Sequence, residues 1–191
     1  MQRSFWICIA AVSLLELAAC KARRPDPEYR PTATVKDIMD SMVDPSADFL
    51  WDSVATIISA AGVEERMPRT DQEWTDVHRA AVRLVEATNL LLMGGRHVAR
   101  PGEKSENPDV ELEPEEIEKR INDDRAAWIR LAYGLHDAAM PALRATEVRD
   151  AKALFETGDK IDIACENCHL KYWYPPNSTK TPTSLRSKGA Q

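Results

Sequence analysis

The residues with the clearest chemistry lie near the end of the chain, in the run Cys165-Glu166-Asn167-Cys168-His169. Two cysteines separated by two residues and followed directly by a histidine form the C-x-x-C-H pattern of covalent c-type haem attachment. The spacing suits this chemistry because both thiols can add to the two vinyl groups on one edge of a porphyrin while the adjacent imidazole reaches the iron. We therefore expect one covalent haem c, held by Cys165 and Cys168, with His169 as an iron ligand.

The same cysteines could instead form half of a zinc site or a dithiol redox pair. A zinc site needs two more ligands. The other cysteines are Cys8 and Cys20, which belong to an N-terminal segment that we expect to be removed or modified. A thioredoxin-like pair would follow a strand, and no strand-like alternation precedes Cys165. The haem interpretation is therefore favoured over both alternatives.

The N-terminus has the pattern of an export signal over residues 1–19. Residues 5–15 are almost wholly apolar and follow Arg3, and small residues precede Cys20. The apolar run is shorter than the roughly 20 residues that a membrane-spanning helix needs. This pattern predicts export, which c-type haem attachment outside the bacterial cytoplasm also requires.

Leu17-Ala18-Ala19-Cys20 also resembles a bacterial lipoprotein box, in which Cys20 becomes the first residue and the site of lipidation. By analogy, Lys21 at the next position favours the outer over the inner membrane. An ordinary signal peptide with a chance cysteine is the alternative. We expect a bacterial periplasmic protein attached to the outer membrane through its lipid.

Composition predicts one folded domain between two extended ends. Residues 20–32 are rich in proline and basic residues and form the expected lipidated N-terminus and flexible tether. Residues 33–174 form the expected folded domain, and residues 175–191 form a polar tail that we expect to be disordered because Pro175-Pro176 ends the preceding helix.

The overall composition excludes several classes of function. The chain has 191 residues, 43% of them hydrophobic, and a formal net charge of −6 with basic residues interspersed among acidic ones. Such a chain can bury a sizeable core, and it lacks the basic stripe that a nucleic-acid partner would require. Phosphate-binding loops and the common hydrolase motifs are absent from the sequence, so we expect no enzymatic activity.

Apolar periodicity predicts four helices and no strands. The first opens at Thr34, with Asp37 three residues on, and runs toward Ile57, with Pro45 expected to kink or restart it. The second ends at Gly94-Gly95, and the third runs from about Glu115 with Pro141 near its end. The apolar stripe of the first helix is Val35, Met39, Met42, Phe49 and Leu50, and that of the second is Trp74, Val77, Ala81, Leu84, Thr88 and Leu91. The stripe of the third is Ile117, Ile121, Trp128, Leu131, Leu135, Ala138 and Leu143. The stripe of the fourth is Val148, Ala151, Phe155, Gly158, Ile161, Cys165, Cys168 and Tyr172. Such helices predict an all-α, antiparallel four-helix bundle with covalently bound haem.

A C-x-x-C-H motif at the end of the fourth helix resembles the class II cytochromes c, the cytochrome c-prime group, over residues 33–174. The resemblance implies that the haem lies between the first and last helices and that a first-helix residue faces the sixth position of the iron. This residue is methionine in low-spin, electron-transferring members and a bulky apolar residue in five-coordinate, gas-binding members. Met39 and Met42, one turn apart, favour the low-spin branch. We expect Met42 as the second metal ligand, with Met39 as the alternative and core packing of both as a further one.

The resemblance implies an exported monohaem cytochrome that carries single electrons between redox protein partners, with a homodimer as a further possibility. The alternative is a five-coordinate haem protein that binds NO or CO. Tyr172 is expected beside the porphyrin or at the closed end of the bundle, and Lys36 and Arg96 are candidates to pair with haem propionates or to remain solvated. The other histidines, His78, His97 and His136, are expected to be residues at the surface or at the edge of the core rather than a second axial ligand.

Overall fold

The computed structural model describes residues 29–176, and its main folded unit begins at Pro31. This part of the chain is mostly helical and contains one two-stranded sheet. The predicted signal peptide, the lipidation site Cys20, most of the tether and the tail from residue 177 onward lie outside the described residues. Between residues 29 and 176, no helix combines the length and apolar character needed to cross a membrane.

The first helical segment covers residues 35–53 and consists of α1 (Val35–Ile38), a π-helical turn (Met39–Val43) and α2 (Asp44–Ser53). Its predicted start is confirmed. The Asp37 amide donates to Thr34 Oγ1 at 3.0 Å, and the Thr34 amide donates to the Asp37 carboxylate at 2.9 Å, which completes a capping box. The sequence predicted a kink or restart at Pro45, and the structure has a π-helical turn directly before that residue.

The π-helical turn has a physical reason in Pro45. Proline has no backbone N–H, and in a regular α-helix its ring would collide with the carbonyl four residues earlier. The wider turn, in which the Asp44 amide donates to the Met39 carbonyl, relieves this crowding and lets the chain continue as α2. The helical register after Val43 is therefore displaced from that of an uninterrupted α-helix.

The prediction that this helix continues to Ile57 and that the chain lacks strands is wrong. After Ser53 the chain forms a hairpin of β1 (Ala55–Ser59) and β2 (Gly62–Arg66), with Ile58 opposite Val63. Four of the five residues Val54-Ala55-Thr56-Ile57-Ile58 are β-branched, and such residues favour an extended backbone. Gly62 has φ +128° and supplies a conformation at the turn that other residues rarely adopt.

The second predicted helix is confirmed as α3 (Asp71–Leu91), which begins with a capping box between Thr70 and Glu73. The residues of its predicted apolar stripe are all buried: Trp74, Val77, Ala81, Leu84, Thr88 and Leu91. This helix is the regular element against which its neighbours pack.

The third predicted helix is divided into α4 (Pro114–Asp123) and α5 (Arg125–Glu147). The break falls at Asp124, whose backbone leaves the helical region and whose side chain accepts a hydrogen bond from the Ala127 amide at 3.0 Å. Aspartate is a favoured N-cap, so this residue starts a second helix instead of continuing the first. Pro141 lies inside α5 and does not end it.

The fourth predicted helix is also divided, into α6 (Ala151–Phe155) and α7 (Gly158–Tyr172). Its predicted apolar stripe is wrong at Val148, which is 75% exposed, and at Phe155, which is 55% exposed, whereas the neighbouring Leu154 is buried. The later part of the stripe is correct, because Ile161 and Tyr172 are buried.

The core joins the longer helices in pairs. α3 packs against α5 and α2, and α5 packs against α7. Phe49, predicted in the core, is exposed because the displaced register turns it outward, whereas Ala47 and Leu50 are buried. These contacts bring α7, which carries the cysteines, against α5 and beside the first helical segment.

Candidate functional site

Cys165, Cys168 and His169 lie in the C-terminal half of α7, at spacings that place them on one face of the helix. All three are partly buried, and the two cysteines pack against the core. Both thiols are free. The structure therefore places both cysteines on the side of α7 that packs against the core, as the sequence predicted.

The end of α7 is held in place by the start of α5. Tyr172 is buried, its ring meets the Trp128 ring edge-on at a centroid distance of 5.4 Å, and its hydroxyl donates to the Asp124 carbonyl at 3.3 Å. The Lys171 ammonium lies 3.1 Å from the Asp124 carboxylate. Tyr172 thus anchors the helix that carries His169 and belongs to the core, rather than to the wall of either cavity beside His169.

Trp128 links this anchor to α3. Its indole N–H donates to the carbonyl of Leu91, the last residue of α3, at 2.9 Å. Arg125 donates to the next carbonyl, that of Leu92, at 2.6 Å. Carbonyls at a helix C-terminus have no partner within the helix, so the first turn of α5 caps α3 and fixes the position of Trp128 beneath α7.

Two cavities border His169. The smaller, about 20 Å³, is mostly apolar and is lined by Met39, Val43, Asp44, Leu91, Trp128, Leu131, Ala132, Leu135, Ala164, Cys165, Cys168 and His169. The larger, about 190 Å³, is more polar, and its walls include Lys36, Asp40, Glu106, Glu111, Leu112, Trp173 and Tyr174 in addition to Met39, Asp44 and His169. Cofactor pockets have volumes of about 300–1,000 Å³, so a group of haem size requires the side chains between the cavities to move apart.

Of the two predicted methionine ligands, Met39 lies in the walls of both cavities together with His169. Met42 lines neither and packs, partly buried, against the core. The sequence argument that these residues share a face holds for a regular α-helix, but both belong to the π-helical turn, whose greater number of residues per turn separates them around the axis. The structure brings Met39, and not Met42, into the same cavity as His169.

Burial governs the protonation of the three motif residues. It raises the pKa of Cys165 to about 11 and that of Cys168 to about 12. It also lowers the pKa of His169, against the opposing effect of nearby carboxylates, chiefly that of Asp44. At neutral pH the thiols are therefore protonated and the imidazole is neutral, which leaves one ring nitrogen free to bind a metal.

Aromatic rings at the end of α7 surround the His169 imidazole. The ring centroids of Trp173 and Tyr174 lie 5.8 and 5.9 Å from that of His169. The Tyr174 hydroxyl donates to the Glu166 carboxylate at 2.8 Å. Burial and this hydrogen bond raise the pKa of Tyr174, so the phenol stays protonated. The rings of Trp173 and Tyr174 thus restrict the orientation of the His169 imidazole.

The other predicted residues separate into two groups. Lys36 lies in the wall of the larger cavity, where its ammonium is 2.7 Å from the Glu106 carboxylate. Arg96 lies elsewhere, since its guanidinium donates to the Leu90 carbonyl at 3.1 Å and to the carbonyl of Ala33. Arg96 therefore links the end of α3 to the chain just before α1, and of these two residues only Lys36 lies near the candidate site.

The remaining histidines have partners away from His169. The ring nitrogens of His78, His97 and His136 lie 2.9 Å from Thr146 Oγ1, 3.0 Å from the Glu118 carboxylate and 3.3 Å from the Asp137 carboxylate. None of the three lines the cavities that His169 borders.

Sequence reasoning missed two contributors to this site. One is the connection between α3 and α4, residues 92–113, which forms much of the larger cavity wall. It is tied to α7 by the Leu112 amide, which donates to the Trp173 carbonyl at 2.8 Å. Val98 and Leu112, both buried, are the apolar residues of this largely polar run that could have indicated packing. Asp44 was the second, because its place in both cavities follows from the π-helical turn.

The donor set fits a haem better than a bare metal ion. Across residues 29–176, no group of three or more histidine, cysteine, aspartate or glutamate side chains is arranged to hold a metal. A porphyrin supplies its own four equatorial ligands and needs from the chain only covalent anchors and axial ligands. Two thiols beside an imidazole on one helical face meet that need. Comparisons with protein-family models, curated proteins and solved structures find no match to this chain.

Proposed function

We propose that this chain is an exported monohaem c-type cytochrome that carries single electrons, similar to the low-spin class II cytochromes c. The observation that carries the proposal is the position of Cys165, Cys168 and His169 on one partly buried face of α7, beside an apolar cavity that Met39 also lines. The C-x-x-C-H motif, the partial burial of its three functional side chains and the lining of the cavity all support covalently attached haem.

Within this proposal the chain's residues have distinct roles. Cys165 and Cys168 hold the haem through thioether bonds, and His169 binds the iron. The haem, when bound, supplies the one-electron chemistry. Trp128, Leu131 and the other apolar residues of the smaller cavity exclude water from the iron ligands, and the aromatic residues at the end of α7 orient the imidazole.

The bundle assignment is part of the proposal. The first helical segment, α3, α5 and α7 would be the four helices, with the hairpin, α4 and α6 as additions to the connections between them. The packing of α3 against α2 and α5, and of α5 against α7, supports this arrangement.

For the second axial ligand the cavity lining favours Met39 over Met42. A thioether at this position is the common choice of electron-transferring cytochromes and raises the reduction potential. If neither methionine binds the iron, the protein is the five-coordinate alternative that binds NO or CO.

The remaining parts of the proposal rest on sequence pattern. Export by the signal at residues 1–19, lipidation of Cys20 and attachment to the outer membrane place the haem domain in the periplasm, where its partners would be other redox proteins. Incorporation of labelled fatty acid into the wild-type chain, and its loss in Cys20→Ser, would support the anchor.

The deciding experiment is production of the full chain in a bacterium with a c-type haem maturation system. Haem that remains attached after denaturing electrophoresis, and that is lost in the Cys165→Ser/Cys168→Ser variant, would support covalent attachment. Absence of attached haem in the wild type would reject the proposal.

Absorption spectra of the oxidised and dithionite-reduced protein then distinguish the low-spin, electron-transferring branch from the gas-binding alternative. Sharp reduced bands unchanged by CO indicate two axial ligands, and a broad high-spin spectrum that shifts with CO indicates the gas-binding alternative.

A further inference from the structure

Asp44 occupies an unusual position for a carboxylate. It follows the π-helical turn and lies in the walls of both cavities that border His169. In the smaller cavity the other lining residues are apolar side chains, the two cysteines and His169. Asp44 therefore adds a negative charge to the smaller cavity, whose other lining side chains are uncharged at neutral pH.

No cation of the described chain neutralises Asp44. The titratable groups that act on its carboxyl are His169, Asp40 and Asp48. Lys36 and Lys104 line the larger cavity as well, but no lysine or arginine between residues 29 and 176 forms an ion pair with Asp44. Asp44 is exposed on its solvent side, and partial desolvation of its carboxyl, opposed by His169, raises the pKa of that group. Asp44 therefore brings to the site a negative charge that no ion pair with a described lysine or arginine neutralises.

The other carboxylates of the site differ from Asp44 in their partners or their position. Glu106 is paired with the Lys36 ammonium at 2.7 Å, and Glu166 accepts the Tyr174 hydroxyl at 2.8 Å. Asp40 and Glu111 line the larger cavity only. Asp44 is thus the carboxylate of the described chain that is shared by both cavities.

We propose that Asp44 lowers the reduction potential of the haem that the proposed function assigns to this site. When the ferric iron accepts one electron from a redox protein, the site loses one positive charge. A fixed negative charge nearby stabilises the oxidised form more than the reduced form, so it opposes this step. Asp44 thereby offsets the rise in potential that a methionine ligand causes.

The size of the effect follows from Coulomb's law. Two unit charges about 10 Å apart, at an effective dielectric constant of about 20, change such an equilibrium by roughly tenfold. For a one-electron couple a tenfold change corresponds to about 59 mV. Because Asp44 and His169 border the same cavities, we expect an effect of about this size.

The test is an equilibrium redox titration of the haem-loaded full chain at constant pH and ionic strength. Asp44→Asn removes the charge and keeps the size of the side chain, and we expect it to favour the reduced form about tenfold. Asp44→Glu keeps the charge and should remain close to the wild type. Asp48→Asn makes the same chemical change at a position on the same helix that lines neither cavity, and we expect a much smaller shift.

The proposal is overturned if Asp44→Asn shifts the potential no more than Asp48→Asn, or lowers it. Asp44→Ser is a second neutral variant in case the amide disturbs folding, and loss of haem from both neutral variants would assign Asp44 a structural role instead. Failure of this inference is distinct from failure of the proposed function. A wild-type chain without covalent haem rejects the function, whereas a loaded chain with an insensitive potential rejects only the role of Asp44.

Discussion

Replacing Trp128 with phenylalanine tests whether the contact between α3, α5 and α7 holds the candidate site together. The indole is 1% exposed, donates to the Leu91 carbonyl at 2.9 Å and meets the Tyr172 ring edge-on. Phenylalanine keeps an aromatic ring at this position but removes the N–H donor and the second ring. The variant therefore leaves the last carbonyl of α3 buried without its partner.

The expected loss of stability is about 2–4 kcal/mol. A buried acceptor without a partner costs about 1–3 kcal/mol, and the volume of the missing ring adds about 1 kcal/mol because the surrounding side chains relax only partly. For a chain of this size each kcal/mol lowers Tm by about 2–4 °C. We therefore expect Tm to fall by about 4–16 °C.

The matched control is Trp51→Phe. The Trp51 indole N–H donates to the Gly158 carbonyl at 3.4 Å, a longer contact, and the side chain is only partly buried. Its replacement should cost about 1 kcal/mol or less, because solvent can reach the groups left behind. Comparing the two variants separates the loss of the hydrogen bond between Trp128 and the Leu91 carbonyl from the general effect of removing an indole.

The assays are thermal and urea denaturation of the haem-loaded chain, both followed by far-ultraviolet circular dichroism. The first gives Tm, and in the second the midpoint and slope are fitted separately. A lower midpoint with an unchanged slope reports a change in stability. If Trp128→Phe and Trp51→Phe lose the same stability, the Leu91 contact has no special weight and the reasoning is refuted.

Three further outcomes are expected. The Ala127 amide and the Lys171 ammonium hold the pKa of Asp124 below its usual value of 3.8. The wild type should therefore be more stable than Asp124→Asn above pH 3.8, and this advantage should disappear as the pH falls through the lowered pKa. Urea denaturation of both proteins across pH measures the difference. Ile58→Thr should change the free energy of unfolding by no more than about 0.5 kcal/mol, because this side chain is 80% exposed; a larger loss in the same assay would mean that the hairpin packs against the core. Met39→Leu should abolish the low-spin Met-ligated spectrum of the haem-loaded protein while Met42→Leu preserves it, and the reverse pattern would contradict the ligand assignment from the cavities.

The parts of the fold that local chemistry controls were predicted correctly. Thr34 starts the first helix because its capping box needs only residues three positions apart. The α3 stripe from Trp74 to Leu91 is buried as predicted, because a regular helical period has one way to face a core. Where two local preferences compete, the predictions failed: β-branched residues after Ser53 form a hairpin, and Asp124 begins a new helix where apolar periodicity indicated continuation.

The sequence by itself determined the chemistry proposed for this protein, since the identity and spacing of Cys165, Cys168 and His169 depend on no other element. Tertiary structure alone decided what surrounds them. The π-helical turn before Pro45 brings Met39 and Asp44 to the cavities beside His169, and the loop before α4 closes the larger one. The physical reason is that a motif within one helical turn is a local property, whereas a cavity wall depends on the register and packing of segments more than 100 residues apart in the chain.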